Sequence, residues 1–359
     1  MLTAIVTFLL VLGVLVFFHE LGHFCVARLC GVTVQTFSLG FGPKIWARQS
    51  GETEYCISVV PLGGYVRMLG DDPAEEIAPE DSARSFLTQS LWKKIAIVVA
   101  GPFFNFLLAF LMFSGVFIAG VPILTPIVGD VEKGSAADSG GIQPGDIISA
   151  VNDQPVTQWD EIPTILQDSG GAPLHVTVSR AGTKIDLTVM PIQRSRKDIF
   201  GEEKPIWVIG IMSKGEYTIK AYHPFSALNL GLQRTVQMIQ LNFVGIIKLI
   251  QGRISSDNIG GPILIAQMAA KQAEQGLLNV ILFTAFISIN LGVINLFPVP
   301  VLDGGHLLFF LIEGMIGRPV SLKARERAQQ VGIVLLVSLM IFAFYNDIMR
   351  FFVTPVGGG

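Results

Sequence analysis

The chain has 359 residues, and its 25 basic and 28 acidic side chains make up 15% of it, against roughly 25% in soluble proteins. Hydrophobic residues make up 51% and the mean hydropathy is +0.58, which excludes disorder, collagen and a disulfide scaffold and indicates a membrane protein. A formal net charge of −3 without a long basic block gives no electrostatic footprint for nucleic acid. Membrane lipid is therefore an expected partner and nucleic acid is not.

Four stretches without any Asp, Glu, Lys or Arg are long enough to span a membrane, which takes roughly 20 helical residues. The first has no basic start and no small-residue cleavage site, so it is interpreted as a retained span and not as a secretory signal. The four predicted spans cover residues 1–18, 95–129, 275–302 and 328–346.

The segment between the first two spans is predicted to form a β-hairpin. Its strands cover residues 44–49 and 53–60, and the turn residues Ser50, Gly51 and Glu52 separate them. The Pro-Leu-Gly-Gly-Tyr segment at 61–65 then bends the chain.

Charge returns after the second span, where residues 130–191 have the pattern of a small soluble α+β domain. Its predicted strands cover 147–151, 174–179 and 185–190, with a helix at about 159–166. A following stripe of apolar residues within 224–253 indicates an amphipathic helix on a membrane surface or a protein face. A fifth span is the alternative, although the helix contains Arg234, Lys248 and Arg253.

A candidate metal site lies at the end of the first span. His19 and His23 are four residues apart, so on a helix both imidazoles project from one face and can bind one ion. Glu20 beside them can take a proton from an attacking water. The alternative is a set of polar residues on a solvated helix face, but ionisable residues at a membrane span favour the metal.

Asp303 is the predicted third ligand. The first and third spans run in the same direction, so their C-terminal ends lie on the same side of the membrane, and Pro298 and Pro300 interrupt the helix just before Asp303. In the alternative interpretation, Asp303 is an N-cap of the next helix. His306 is left out of the ligand set because four protein ligands would close the site to water.

These residues belong to segments that together resemble the site-2 proteases, which are intramembrane zinc metalloproteases, in the single-PDZ variant of the bacterial regulator of sigma E protease branch. The resemblance covers most of the chain. Its segments are HELGH at 19–23, GFGP at 40–43, PLGGYV at 61–66, GPFFN at 101–105, NLG at 290–292 and NLFPVPVLDGG at 295–305.

The resemblance implies that His19, His23 and Asp303 bind Zn²⁺, that Glu20 is the general base, and that Asn295 steadies the substrate or the oxyanion. It implies that the hairpin is a membrane-reentrant sheet whose edge receives an extended substrate. Segments at 134–137 and 141–148 resemble a PDZ domain, of which this chain has room for one; an inert spacer is the alternative. The implied organisation is membrane domain 1–121, PDZ-like domain 122–195, linker with amphipathic helix 196–274 and membrane domain 275–359.

The expected function is intramembrane cleavage of single-span membrane proteins of the anti-sigma factor type, and possible further substrates are remnant signal peptides. The short connector 318–327 carries four basic residues and one acid, which favours a cytoplasmic connector. The expected location is the bacterial inner membrane, with a periplasmic PDZ-like domain and an active site toward the cytoplasmic leaflet. A non-proteolytic adaptor that recruits partners through this domain is the alternative function, and the oligomeric state stays open.

Overall fold

A computed structural model describes residues 2–71 and 77–353 and divides the chain into two compact units. The first unit comprises Met1–Val116 and Phe225–Gly359, and the second comprises Phe117–Pro224. The first unit is built from long helices and one sheet. Its elements are α1 (Leu2–Leu29), β1 (Val34–Ser50), β2 (Thr53–Met68), α2 (Leu91–Ala119), α5 (Pro224–Ile250), α6 (Pro262–Gln275), α7 (Leu277–Asn295), α8 (Asp303–Ile316) and α9 (Leu322–Val353).

Four of the described helices are long and apolar enough to cross a membrane, which confirms the predicted number of spans. They cover Ala4–Leu29, Leu91–Ala119, Leu277–Asn295 and Leu322–Arg350. The second span ends ten residues before the charge-free stretch does, because Gly120 takes a positive φ of 108° and a strand follows. Helix α5 is amphipathic as predicted and is not one of the four.

The predicted hairpin is present, but it is longer and more strongly bent than the sequence pattern indicates. Residues 55–57 pair with 46–48 on one side and with 37–39 on the other, and 37–39 also pair with 64–66. The two long strands therefore fold back into four adjacent segments. Gly40 and Gly42 have positive φ angles of 93° and 86° at the bend, a conformation that favours glycine.

Two 14-residue helices, α6 and α8, have no counterpart among the predicted elements. The buried carboxylate of Asp347 on α9 accepts hydrogen bonds from the backbone N–H groups of Gly261, Ile263 and Leu264 at 2.9–3.0 Å. These N–H groups have no partner within α6, so the carboxylate caps that helix. The amphipathic helix α5 packs through its small buried residues, and a side chain at Gly231 would meet Ser114 of α2.

The second unit is a small α+β fold whose predicted strands and helix are confirmed. Its four-stranded sheet has the order β6-β5-β7-β8, and α4 contributes Ile162 and Leu166 to the core beside that sheet. The elements are β3 (Val121–Leu124), β4 (Val128–Val131), α3 (Ala136–Ser139), β5 (Ile147–Val151), β6 (Gln154–Pro155), α4 (Glu161–Asp168), β7 (Leu174–Arg180), β8 (Thr183–Val189), β9 (Ile192–Lys197), β10 (Glu203–Val208), β11 (Ile211–Ser213) and β12 (Tyr217–Lys220).

The second unit extends past residue 195, where the sequence analysis places the end of the domain. Strand β12 returns to pair with β3, and β11 pairs with β4, so the strands within 211–220 join the end of the unit to its first two strands. These strands are short and carry exposed positions. The alternation by which buried strands are recognised in a sequence is therefore weak here.

A buried ion pair fixes one loop of the second unit. Asp146 accepts two hydrogen bonds from Arg180 and one from the backbone N–H of Gln143, each at 2.8 Å. Burial raises the pKa of Asp146, but the hydrogen bond and charge of Arg180 and the Gln143 N–H outweigh it, so this pKa lies below its ordinary value. The pair therefore stabilises the unit at neutral pH, and this contribution is lost as the pH falls below about 4.

Candidate metal centre

Helix α1 places three ionisable side chains at one level of the first unit. His19 and His23 are one turn apart, and their rings meet edge to face with centroids 4.9 Å apart. Glu20 and His23 are 9% and 8% exposed, respectively. Because groups of this kind are rarely buried without partners, the side chains need a common partner.

Two glycines allow α1 and α2 to approach closely at this level. A Cβ atom at Gly22 of α1 would lie 2.2 Å from the Ala100 carbonyl oxygen of α2. A Cβ atom at Gly101 of α2 would lie 2.3 Å from His23 Nε2 and 2.8 Å from His19 Cε1. Any larger residue at position 101 would occupy the space of the two imidazoles.

The third candidate ligand comes from a distant part of the chain. Asp303 is the first residue of α8, and the next two glycines pack against the irregular backbone that follows α7. A Cβ atom at Gly304 would lie 2.2 Å from the Phe297 carbonyl oxygen, and one at Gly305 would lie 2.4 Å from that of Val299. Leu302 takes the N-cap position. The alternative in which Asp303 serves as an N-cap is therefore wrong, and its carboxylate faces the histidines.

His19, His23 and Asp303 form a triangle of close donor atoms, in which each histidine contacts a different oxygen of the Asp303 carboxylate. His19 Nε2 lies 3.3 Å from His23 Nε2 and 3.3 Å from Asp303 Oδ2, and His23 Nε2 lies 3.5 Å from Asp303 Oδ1. A tetrahedral ion with bonds of 2.0–2.1 Å has ligand atoms about 3.3–3.4 Å apart. Asp303 Oδ2 is buried and accepts no hydrogen bond in the described part of the chain. The donor set and its spacing therefore fit a tetrahedral metal ion with one open position.

A cavity of about 620 Å³ opens beside this triangle. Its lining includes the three donor residues, Glu20, and the sheet residues Gly64, Tyr65 and Val66. A Cβ atom at Gly64 would lie 3.0 Å from Glu20 Cγ, so the sheet backbone passes directly beside the glutamate. The cavity thus combines a candidate metal-binding triangle, a carboxylate and a strand.

Of the remaining predicted or excluded residues, His306 lines the cavity one turn after Asp303. Asn295 is the last residue of α7 and is partly buried. It is not among the described residues that line the cavity. The structure thus brings together His19, Glu20, His23 and Asp303 but leaves Asn295 outside their cavity.

Two groups of α2 contact the outer ring nitrogens of the histidines. His23 Nδ1 lies 2.9 Å from the Ile97 carbonyl oxygen, which can only accept, so Nδ1 donates and Nε2 keeps its lone pair for a metal. The Asn105 carboxamide lies 3.1 Å from His19 Nδ1. Neither group has a role that the sequence alone predicts. Ile97, Gly101 and Asn105 recur every four residues and so lie on one helix face, but this spacing does not show which helix the face meets.

Comparison with known proteins adds a family and relatives to this geometry. The profile of peptidase family M50 matches residues 7–339. A putative zinc metalloprotease of Agrobacterium fabrum is 38% identical over 358 residues, which cover 96% of this chain and 95% of the relative. The protease RseP of Yersinia pestis is 34% identical over 451 residues, covering 97% and 99% of the two chains. A regulator of sigma-E protease RseP of Salmonella typhimurium is 34% identical, covering 96% and 98%.

We expect Asp303→Ala to remove the bound zinc, because two imidazoles alone hold Zn²⁺ less tightly than two imidazoles and a carboxylate. The zinc content of the purified protein, measured by elemental analysis, should fall from about one ion per chain to well below one. Asp168→Ala, which removes an exposed carboxylate from α4, is the matched control and should keep its zinc. Undiminished zinc in Asp303→Ala would contradict the ligand assignment.

Proposed function

From its membership of peptidase family M50, we propose that the chain cuts single-span membrane proteins within or beside their spans. It is a zinc metalloprotease of the site-2 type, in the regulator of sigma E protease branch. The observation that carries the proposal is the triangle of His19, His23 and Asp303 with Glu20 beside it. The two histidines and Glu20 lie on a candidate membrane span. A hydrolytic centre on a membrane span is placed to reach peptide bonds within the spans of other membrane proteins.

In the proposed mechanism, His19, His23 and Asp303 hold the zinc ion, which when bound supplies a Lewis acid that polarises the scissile carbonyl and activates water. The Glu20 carboxylate accepts a proton from the water while the water oxygen bonds to the carbonyl carbon of the substrate. The glutamate then gives this proton to the amine nitrogen as the carbon–nitrogen bond breaks.

Glu20→Gln tests this mechanism. The amide is nearly isosteric but cannot accept the proton, so cleavage of a tagged single-span fragment should fall by about 10²- to 10⁴-fold while zinc stays bound. Glu274→Gln, at an exposed position of α6, is the matched control and should cleave normally. Full cleavage by Glu20→Gln would contradict the general-base role. A wild-type chain that holds zinc but cleaves no tested fragment would favour the alternative of a non-proteolytic adaptor.

We further propose that the sheet enters the membrane and that its inner edge receives the substrate. Large apolar side chains on the sheet are exposed, including Ile45 at 68% and Val59 at 54%. Such a surface is unusual in water and suits lipid or a protein partner. Residues 64–66 form the end segment of the pairing order and line the cavity. An extended peptide paired there would expose its backbone, whereas a helix would shield it.

Cysteine crosslinking tests the edge. In a Glu20→Gln chain without its three native cysteines, Tyr65→Cys should form a disulfide with a cysteine placed beside the scissile bond of a single-span fragment. Trp46→Cys provides the control, because Trp46 is also an aromatic of this sheet but lies in the segment at the opposite end of the pairing order. Equal crosslinking at both positions, or crosslinking at position 46 alone, would contradict the proposed edge.

The role of Asn295 remains a proposal that rests on the family resemblance. Its place at the end of α7, before the chain turns toward Asp303, suits a residue that contacts substrate once the cavity is filled. Asn295→Leu should then lower the cleavage rate and leave the zinc content unchanged. An unchanged cleavage rate would remove Asn295 from the site.

We also propose that the second unit, which extends past the bounds 122–195 set from the sequence, is a PDZ-like domain between two parts of a membrane domain. In support, a groove of about 530 Å³ runs along α4 and is lined by residues 206–212. A peptide-binding groove and a filter against bulky ectodomains both suit this shape. If the groove binds peptide, Met212→Asp, at an exposed position of its lining, should weaken cleavage of a fragment only when the fragment carries its external tail. Equal cleavage of both fragments would favour an inert spacer.

The proposed location is the bacterial inner membrane, with the second unit in the periplasm and the metal centre toward the cytoplasmic leaflet. The basic residues between α8 and α9 support a cytoplasmic connector. The proposed substrates are of the anti-sigma factor type, and this class rests on the family resemblance of the sequence. Protease accessibility in spheroplasts tests the orientation, and protection of the second unit from added protease would contradict it.

A further inference from the structure

We propose that Asn105 is a positioning residue that selects the ring tautomer of His19 and thereby sets the affinity of the site for zinc. The inference rests on the proposed function only in taking His19 as a zinc ligand. Asn105 lies on α2, its residue exposure is 0%, and its carboxamide is 3.1 Å from His19 Nδ1. A fully buried carboxamide in a membrane span is costly, so its contact with a ligand residue calls for a physical explanation.

Whether His19 Nδ1 donates to Asn105 or accepts from it depends on whether the other ring nitrogen, Nε2, carries the proton. His19 Nε2 is the atom that faces the triangle, 3.3 Å from Asp303 Oδ2. If Nε2 binds a metal, it must present a lone pair, so the ring proton sits on Nδ1. His19 Nδ1 is then a donor, and the group facing it must accept.

The Asn105 carboxamide can meet either requirement. In the structure its Nδ2 faces His19 Nδ1, which leaves the proton on His19 Nε2, 3.3 Å from the lone pair of His23 Nε2. Its Oδ1 is buried and has no hydrogen-bond partner among the described residues. A half-turn of the amide group places this unpartnered oxygen where the His19 Nδ1–H of the zinc-binding tautomer points. The two ends of one amide thus match the two tautomers of one histidine.

The position of Asn105 is itself fixed by its neighbours. Its backbone carbonyl accepts a hydrogen bond of 2.7 Å from Ser288 Oγ on α7. On the same face of α2, the Ile97 carbonyl accepts from His23, and Gly101 leaves room for both imidazoles. One face of α2 therefore orients both histidines. His23 contacts the Ile97 carbonyl, which can only accept, and His19 contacts the Asn105 amide, which can either donate or accept.

The substitutions that test this role separate the effect of the hydrogen-bond acceptor from the effect of side-chain volume. Asn105→Asp keeps an acceptor of similar size, so it should bind zinc as tightly as the wild type or more tightly. Asn105→Leu has similar volume without an acceptor, so the zinc Kd should rise by about 10- to 100-fold. Asn242→Leu on α5 is the matched control, because Asn242 donates only to a carbonyl of its own helix among its described contacts. Its zinc Kd should not change.

The measurement is equilibrium competition for zinc between the detergent-solubilised full-length protein and a chromogenic chelator, without substrate. This measurement does not depend on cleavage, so a failure of the Asn105 proposal can be distinguished from a failure of the general-base role of Glu20. Helix content and gel filtration confirm the fold of each variant. If Asn105→Leu does not fold, Asn105→Asp decides: a Kd at or below the wild-type value supports the proposal. Wild-type affinity in folded Asn105→Leu, or an Asn105→Asp Kd raised more than tenfold, would overturn it.

Discussion

The structure depends on backbone contacts so close that only glycine fits, because these contacts bring three polar side chains together inside an apolar unit. Gly22 and Gly101 set the distance between α1 and α2, and Gly304 and Gly305 seat the start of α8 against the chain that follows α7. Small residues serve the same purpose wherever membrane helices pack closely. Without them the histidines and Asp303 would lie too far apart to share one ion.

The burial of these groups explains their close polar contacts, although Asp303 Oδ2 and Asn105 Oδ1 have no hydrogen-bond partner among the described residues. A polar group in a low-dielectric region is costly unless it is paired, and a well-paired group there holds its geometry firmly. The Ile97 carbonyl and the Asn105 amide contact the histidines from one side, and Asp303 contacts them from the other. The cavity on the open side is lined by Glu20 and the sheet, where the proposed substrate backbone would enter.

The sequence was sufficient to predict the parts of the site that follow from local spacing or chain direction. His19 and His23 are a helical turn apart, and the parity of the spans places Asp303 on their side of the membrane. Asn105 was missed because its role depends on how two helices cross, which no local pattern encodes. Helices α6 and α8 were missed because each depends on a distant contact, the Asp347 cap in one case and the close packing of Gly304 and Gly305 in the other.

The measurement that most directly tests the central claim is zinc K-edge X-ray absorption on the purified protein, compared between the wild type and His306→Ala. The geometry predicts two imidazole nitrogens, a carboxylate oxygen and one exchangeable oxygen around zinc at about 2.0–2.1 Å, with the same spectrum in both proteins. A third imidazole in the wild type that disappears in His306→Ala would contradict the three-ligand centre.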